Sequence, residues 1–217
     1  MASDAGQAQR QARTRDWLPP TLLGVFVFIW LWAAWEPLDR QDWLLENLLV
    51  FLSVPALLIT YRWHRFSDLS YCFLFTFISL HVVGSHWTYS SVPYQELTFL
   101  PGWMREGRNG YDRFVHFMYG LLLFVPAREV IARVTGRTGF SASYFAVEFM
   151  VATSALYEIV EWVTALIVAP GLADKFLGQQ GDQFDAVADM ALAGLGALIT
   201  MGLYEWRRRA AGRRVSA

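Results

Sequence analysis

A chain of 217 residues that is 55% hydrophobic and only 17% charged carries more apolar surface than a soluble domain of this size can bury. Its single cysteine, Cys72, has no partner for an internal disulfide, so the fold has no covalent staple. The composition predicts an all-α polytopic membrane helix bundle of about six transmembrane helices. This single domain covers residues 17–206, between a disordered polar N-terminal tail (1–16) and a basic C-terminal tail (207–217).

Each apolar stretch approaches the roughly 20 residues that a helix needs to cross the hydrocarbon core. The first, Trp17 to Trp35, is Trp-rich and ends in Trp35-Glu36-Pro37 without a small-x-small site, which predicts a retained helix rather than a cleaved signal. The second, Trp43 to Tyr61, contains Pro55, and the third, Leu69 to Trp87, contains Cys72 and His81. A long connection from Tyr89 to Asp112 follows, with Pro93, Pro101, Gly102, Gly107 and Gly110 as breakers. Its Tyr94, Phe99, Leu100, Trp103 and Met104 predict a lid or interfacial segment.

The fourth stretch, Phe114 to Ala132, holds Pro126, and Pro55 and Pro126 are expected to kink their helices. Gly136 and Gly139 break the chain before the fifth, Tyr144 to Ala169. Gly178 and Gly181 read as turn residues, with Asp182 as N-cap of the sixth stretch, Ala186 to Trp206. There Ala191, Ala193, Gly194, Gly196 and Ala197 form a small-residue surface that admits a neighbouring helix closely. Rings near the stretch ends, including Trp17, Trp35, Trp43, Trp63, Trp87, Tyr89, Tyr111 and Trp206, read as an interfacial belt.

Positive charge orients the bundle. Arg10, Arg13 and Arg15 precede the first stretch, Arg62 and Arg65 follow the second, Arg128, Arg133 and Arg137 border the fourth, and an Arg-rich run from Arg207 ends the chain. With six helices these share one side, leaving Arg40, Arg105, Arg108, Arg113 and Lys175 on the other, which predicts cytoplasmic termini.

Against that topology, the ionisable residues inside the apolar stretches gather at one depth. His81, His116, Glu161 and Asp189 all fall roughly 10 Å below the outer interface, with Glu158 somewhat deeper. Asp112 and His116 are four apart, Glu158 and Glu161 three apart, and Asp182, Asp185 and Asp189 follow a three-then-four spacing, so each set lies along one helical face. Charged faces cannot look into lipid and must turn toward each other.

Imidazoles among carboxylates form a ligand set for Zn²⁺, Mn²⁺ or Fe²⁺. A protonated hydrogen-bond network, or ion pairing with Arg113, would satisfy the same groups. Several neighbours have plainer readings: His86 as an interfacial histidine, Asp182 as a cap, His64 as solvated near headgroups, and Glu148 as the partner of Arg128 or Arg133.

The stretches YDRFVHFMYG (Tyr111 to Gly120), YEIVEW (Tyr157 to Trp162) and GQQGDQFDAVADM (Gly178 to Met190) resemble the YjdF-like family of bacterial inner-membrane proteins, over most of the chain. A looser similarity to VanZ-like membrane proteins covers the last three helices, through the order of an Asp-x-x-x-His helix, an acidic helix and an Asp-rich final helix. It transfers no antibiotic-resistance role. The YjdF-like resemblance implies fold, multi-pass inner-membrane location and site, but no reaction.

The resulting expectation is a buried His/carboxylate site near the extracytoplasmic face, serving a metal-dependent enzyme that acts on a lipid or envelope substrate. In that reading His116, Glu158, Glu161 and Asp189 hold the metal, Asp185 or His81 moves the proton, and Asp112 and Asp182 complete the polar cluster. A cation or proton transporter and a non-catalytic scaffold remain open beside it. Membrane lipids are the expected partners and nucleic acid is not; the substrate and oligomeric state are not specified by the sequence.

Overall fold

A computed structural model describes residues 15–96, 107–168 and 180–215. The tail up to residue 14, the Phe99, Leu100, Trp103 and Met104 part of the expected lid, and the Gly178 turn lie outside the described residues.

Helix α1 (Leu18–Ala34) opens on Pro19 and Pro20, in the first turn where amide donors have no intrahelical acceptor. A short α2 (Arg40–Glu46) is capped by Asp39, whose side chain accepts from the amides of Gln41 and Asp42. After Asn47 the chain continues as α3 (Leu48–Thr60), so the second expected span is two helical pieces. Helix α4 (Asp68–His86) leads through a 3₁₀ turn (Pro93–Glu96) to α5 (Tyr111–Thr135), α6 (Gly139–Val168) and α7 (Asp185–Val215). Gly136, at φ 66, ends α5 in the left-handed conformation that glycine adopts without steric cost. Both α3 and α5 run on through their prolines. Helix α7 continues through the basic residues after Trp206.

Five spans, Arg40–Thr60, Asp68–His86, Tyr111–Thr135, Gly139–Ile167 and Asp185–Ala211, are long and apolar enough to cross a membrane, and α1 is a shorter apolar helix beside them. The outer surface supports that reading: Phe28 is 77% exposed and Leu52 72%, which water would penalise and lipid would not.

Helix α7 packs most extensively on α5. Gly120 and Gly196 are required there, because a Cβ on Gly120 would stand 1.8 Å from the Ala193 carbonyl oxygen and one on Gly196 2.3 Å from that of Phe117. Thr200 Oγ1 adds a hydrogen bond to the Leu121 carbonyl at 2.7 Å. Helix α6 closes the other side of this pair, through Ala146 and Met150 against Phe124 and Ala197. Helix α4 packs on α5, and α1 packs on α4 through Phe26, Ala33 and Val82.

Asn47, fully buried at the joint between α2 and α3, accepts from Trp30 Nε1 at 2.8 Å and donates to the Trp43 carbonyl and Ser85 Oγ. One side chain thus ties three helical segments together and satisfies the backbone break.

Candidate functional site

The polar residues collect at the pole where α4 ends, α6 ends, and α5 and α7 begin. Helix α5 presents Asp112 and His116 one turn apart, α6 presents Glu158, and α7 presents Asp189. His116 Nε2 lies 3.6 Å from Asp112 Oδ1 and 3.4 Å from Glu158 Oε1, distances of electrostatic contact rather than of good hydrogen bonds. Asp112, His116 and Asp189 each offer one ligand atom within 4.8 Å of the others. Asp189 is 2% exposed, and its Oδ1 and Glu158 Oε1 have no hydrogen-bond partner. A carboxylate oxygen buried this way is costly unless a proton or a cation meets it.

The other expected members occupy distinct places around this centre. Asp185 Oδ1 receives Arg108 Nη2 at 2.5 Å and Arg113 Nη2 at 3.3 Å, so it anchors two guanidinium groups. Asp182 pairs with Arg113 and accepts from the Phe184 amide at 2.9 Å; it makes a side-chain turn before α7 rather than capping its first residue. These contacts hold its carboxyl below the usual range, the Phe184 amide contributing first and the Arg113 guanidinium next.

Glu161 stands apart from the three-residue set. It hydrogen-bonds Tyr157 and Glu158, and the Tyr157 hydroxyl also donates to Glu46 Oε2 at 3.1 Å.

His81, 2% exposed, uses both ring nitrogens. Nε2 faces the Glu46 carbonyl at 3.0 Å and must donate, which leaves Nδ1 to accept from the Tyr89 hydroxyl at 2.5 Å. Burial pushes the Tyr89 phenol well above its ordinary value, so it remains the proton donor in that bond. Tyr89 and Trp43, read from the sequence among the interfacial rings, are buried instead.

Glu46 was not foreseen. It is a buried acid inside the span Arg40–Thr60, and the argument that singled out Glu158 applies to it equally. Arg108 lies in a loop and Tyr157 carries no formal charge, so the same signal could not find them.

Three further readings change. His86 is 8% exposed, lies against Trp32 with ring centroids 4.7 Å apart, and has Nδ1 3.0 Å from the Ala33 carbonyl, so it ties α4 to α1. His64 packs on Phe66 and receives Arg133 Nη1 at 2.9 Å; burial, with Arg133 beside it, lowers its pKa. Glu148 bonds Tyr144 one turn back, while Arg128 turns to Ser143, Tyr204 and the Gly139 carbonyl.

The connections at this pole are stitched by amides. Gln180 Oε1 accepts from the Asn109 amide and its Nε2 donates to the Asn109 carbonyl, while Asn109 Nδ2 reaches the Val92 carbonyl. These bonds hold the approach to α7 against the entry of α5.

Beneath the polar layer lies a cavity of about 490 Å³ between α1, α3, α4, α5 and α6. Asp112, His116, His81, Tyr89 and Tyr157 border one end; Tyr61, Tyr71 and Asp16 border the other, with aliphatic and aromatic walls between.

Comparison with known proteins agrees with this architecture. Residues 18–210 match the family described as "Predicted membrane protein (DUF2238)". The chain is 38% identical over 167 residues to the inner membrane protein YjdF of Escherichia coli (strain K12), covering 75% of this chain and 77% of that one. No solved structure matches. The match across all six apolar segments and the relative of inner-membrane location lead to one assignment: the chain belongs to the DUF2238 family of integral, multi-pass inner-membrane proteins.

Proposed function

We propose that this protein is a membrane-embedded, cation-dependent enzyme acting on a lipid or envelope substrate. Its divalent ion would be held by Asp112 and His116 of α5 and Asp189 of α7. The observation that carries the reading is the convergence of these three ligand-type side chains within 4.8 Å, with a buried, unpartnered oxygen on Asp189. One imidazole with two carboxylates suits Zn²⁺, Mn²⁺ or Fe²⁺ and leaves positions open for water and substrate.

A bound cation supplies a Lewis acid that activates water. Glu158, 3.4 Å from His116 and with a free Oε1, is placed to take the proton, and its hydrogen bond to Glu161 orients it. Asp185, held by two arginines, sets the positive edge of the site, and His81 holds Tyr89 and the turn before Asn47. The arginine asymmetry supports cytoplasmic termini, and with them an outward-facing pole for this site.

Elemental analysis after gentle purification tests the reading. Wild type carries stoichiometric divalent metal, and Asp189→Asn loses affinity for added Zn²⁺ by more than about 100-fold while remaining folded. Folded wild type that takes up none of Zn²⁺, Mn²⁺ or Fe²⁺ overturns it. The chain Glu46, Tyr157, Glu161, Glu158 supports a second reading, a proton-sharing network; metal-free protein whose carboxyl infrared bands titrate in step would favour it.

A further inference from the structure

We infer that the cavity beneath the site receives one hydrocarbon chain of the substrate, a membrane lipid whose oxygen-bearing head group is thereby held at Asp112 and His116. This rests on the site being the reacting centre, as proposed above, and adds the class of molecule that reaches it.

Three observations converge. First, the cavity is continuous with the site, since Asp112 and His116 are part of its wall. Second, its dimensions fit a chain. Tyr71 and His81 border opposite ends and lie ten residues apart on α4, so the cavity extends about 15 Å along the helices, long enough for a stretch of hydrocarbon chain. Leu57, Leu74, Ile78 and Leu123 give it walls that match methylenes and repel water.

Third, a donor waits at the junction of tail and head. Ser154 is 2% exposed, lines the cavity one turn before Glu158, and has an Oγ without a hydrogen-bond partner. A hydroxyl left alone in an apolar wall is costly, and an ester or phosphoester oxygen at the start of the chain would satisfy it. The polar head then meets His116 and Glu158 while Tyr157 closes the wall beside it. An ordinary lipid lying on the outside of the bundle would contact Phe28 and Leu52 but neither Ser154 nor His116.

The test uses the full chain in nanodiscs and a lysophosphatidylglycerol carrying a diazirine at the end of its acyl chain. Photolysis should label the segments around Leu57, Leu74 and Leu123. Leu123→Trp and, from the facing wall, Ser53→Phe should each cut that labelling by about tenfold, the effect of displacing a few methylenes. Labelling that stays with Phe28 and Leu52, or that neither plug reduces, overturns the inference even when metal is bound. Wild type that is labelled in the cavity but takes up no metal leaves the lipid chain in place and removes the cation reading instead.

Discussion

The two poles of the bundle handle charge in opposite ways. At the basic pole, among the described residues, the carboxylates Glu129 and Glu205 each find complementary partners. Glu129 of α5 accepts from the amide and hydroxyl of Ser67 and from the hydroxyl of Ser70, at the start of α4. Arg128 reaches Ser143, Tyr204 and the Gly139 carbonyl, Ser143 donates to Glu205 at 2.7 Å, and Glu205 takes Arg208 at 2.8 Å.

At the site pole, acids outnumber donors. Asp112, Glu158 and Asp189 surround one imidazole, and oxygens of Glu158, Asp185 and Asp189 have no hydrogen-bond partner. A saturated network rigidifies, whereas one with unmet oxygens is retained at a cost in stability and points to a ligand or a proton. That contrast separates staple from site more sharply than charge content does.

The comparison can be tested by substitutions of decreasing effect. Gly120→Ala should remove both poles together, since the new Cβ would overlap the Ala193 carbonyl and force α5 from α7; thermal unfolding in detergent should show a loss above about 4 kcal/mol or no folded protein. Arg128→Ala should cost about 2–4 kcal/mol by removing the donor to Ser143, Tyr204 and the Gly139 carbonyl, yet leave Zn²⁺ uptake per folded molecule unchanged.

Glu158→Gln, at the other pole, should change unfolding by under about 1 kcal/mol, because the lost charge had no donor at Oε1. Were Glu158→Gln to destabilise as much as Arg128→Ala, the site pole would be a staple too.

The smallest effect is acid sensitivity at Asp182. Its carboxyl is held low by the Phe184 amide and Arg113, so the stabilisation is complete above the ordinary aspartate range and disappears as pH falls through the lowered value. Hydrogen exchange at the Phe184 amide should therefore accelerate relative to its intrinsic rate below about pH 4, and Asp182→Asn should abolish that step.

Much of the site could be read from spacing alone. Asp112 and His116 lie one turn apart, and in apolar segments such residues must face inward. Glu161 shows where that reasoning stops. It shares a helix face with Glu158, but it bonds Tyr157, which also reaches Glu46, and it is not one of the three side chains that meet at His116. His81 lines the same cavity as His116, yet its ring is occupied by Tyr89 and a backbone carbonyl. Arg108 comes from a loop, where no periodicity marks a direction.

By itself the sequence determined that six apolar segments form helices, that five of them are long enough to cross a bilayer, and that acids and histidines gather toward one end. Those properties follow from local spacing and composition. Which of the acids meet was decided only by tertiary structure, because that depends on how each helix is rotated and how closely it approaches its neighbours. The contact through Gly120 and Gly196 sets both for α5 and α7, bringing Asp112, His116 and Asp189 together.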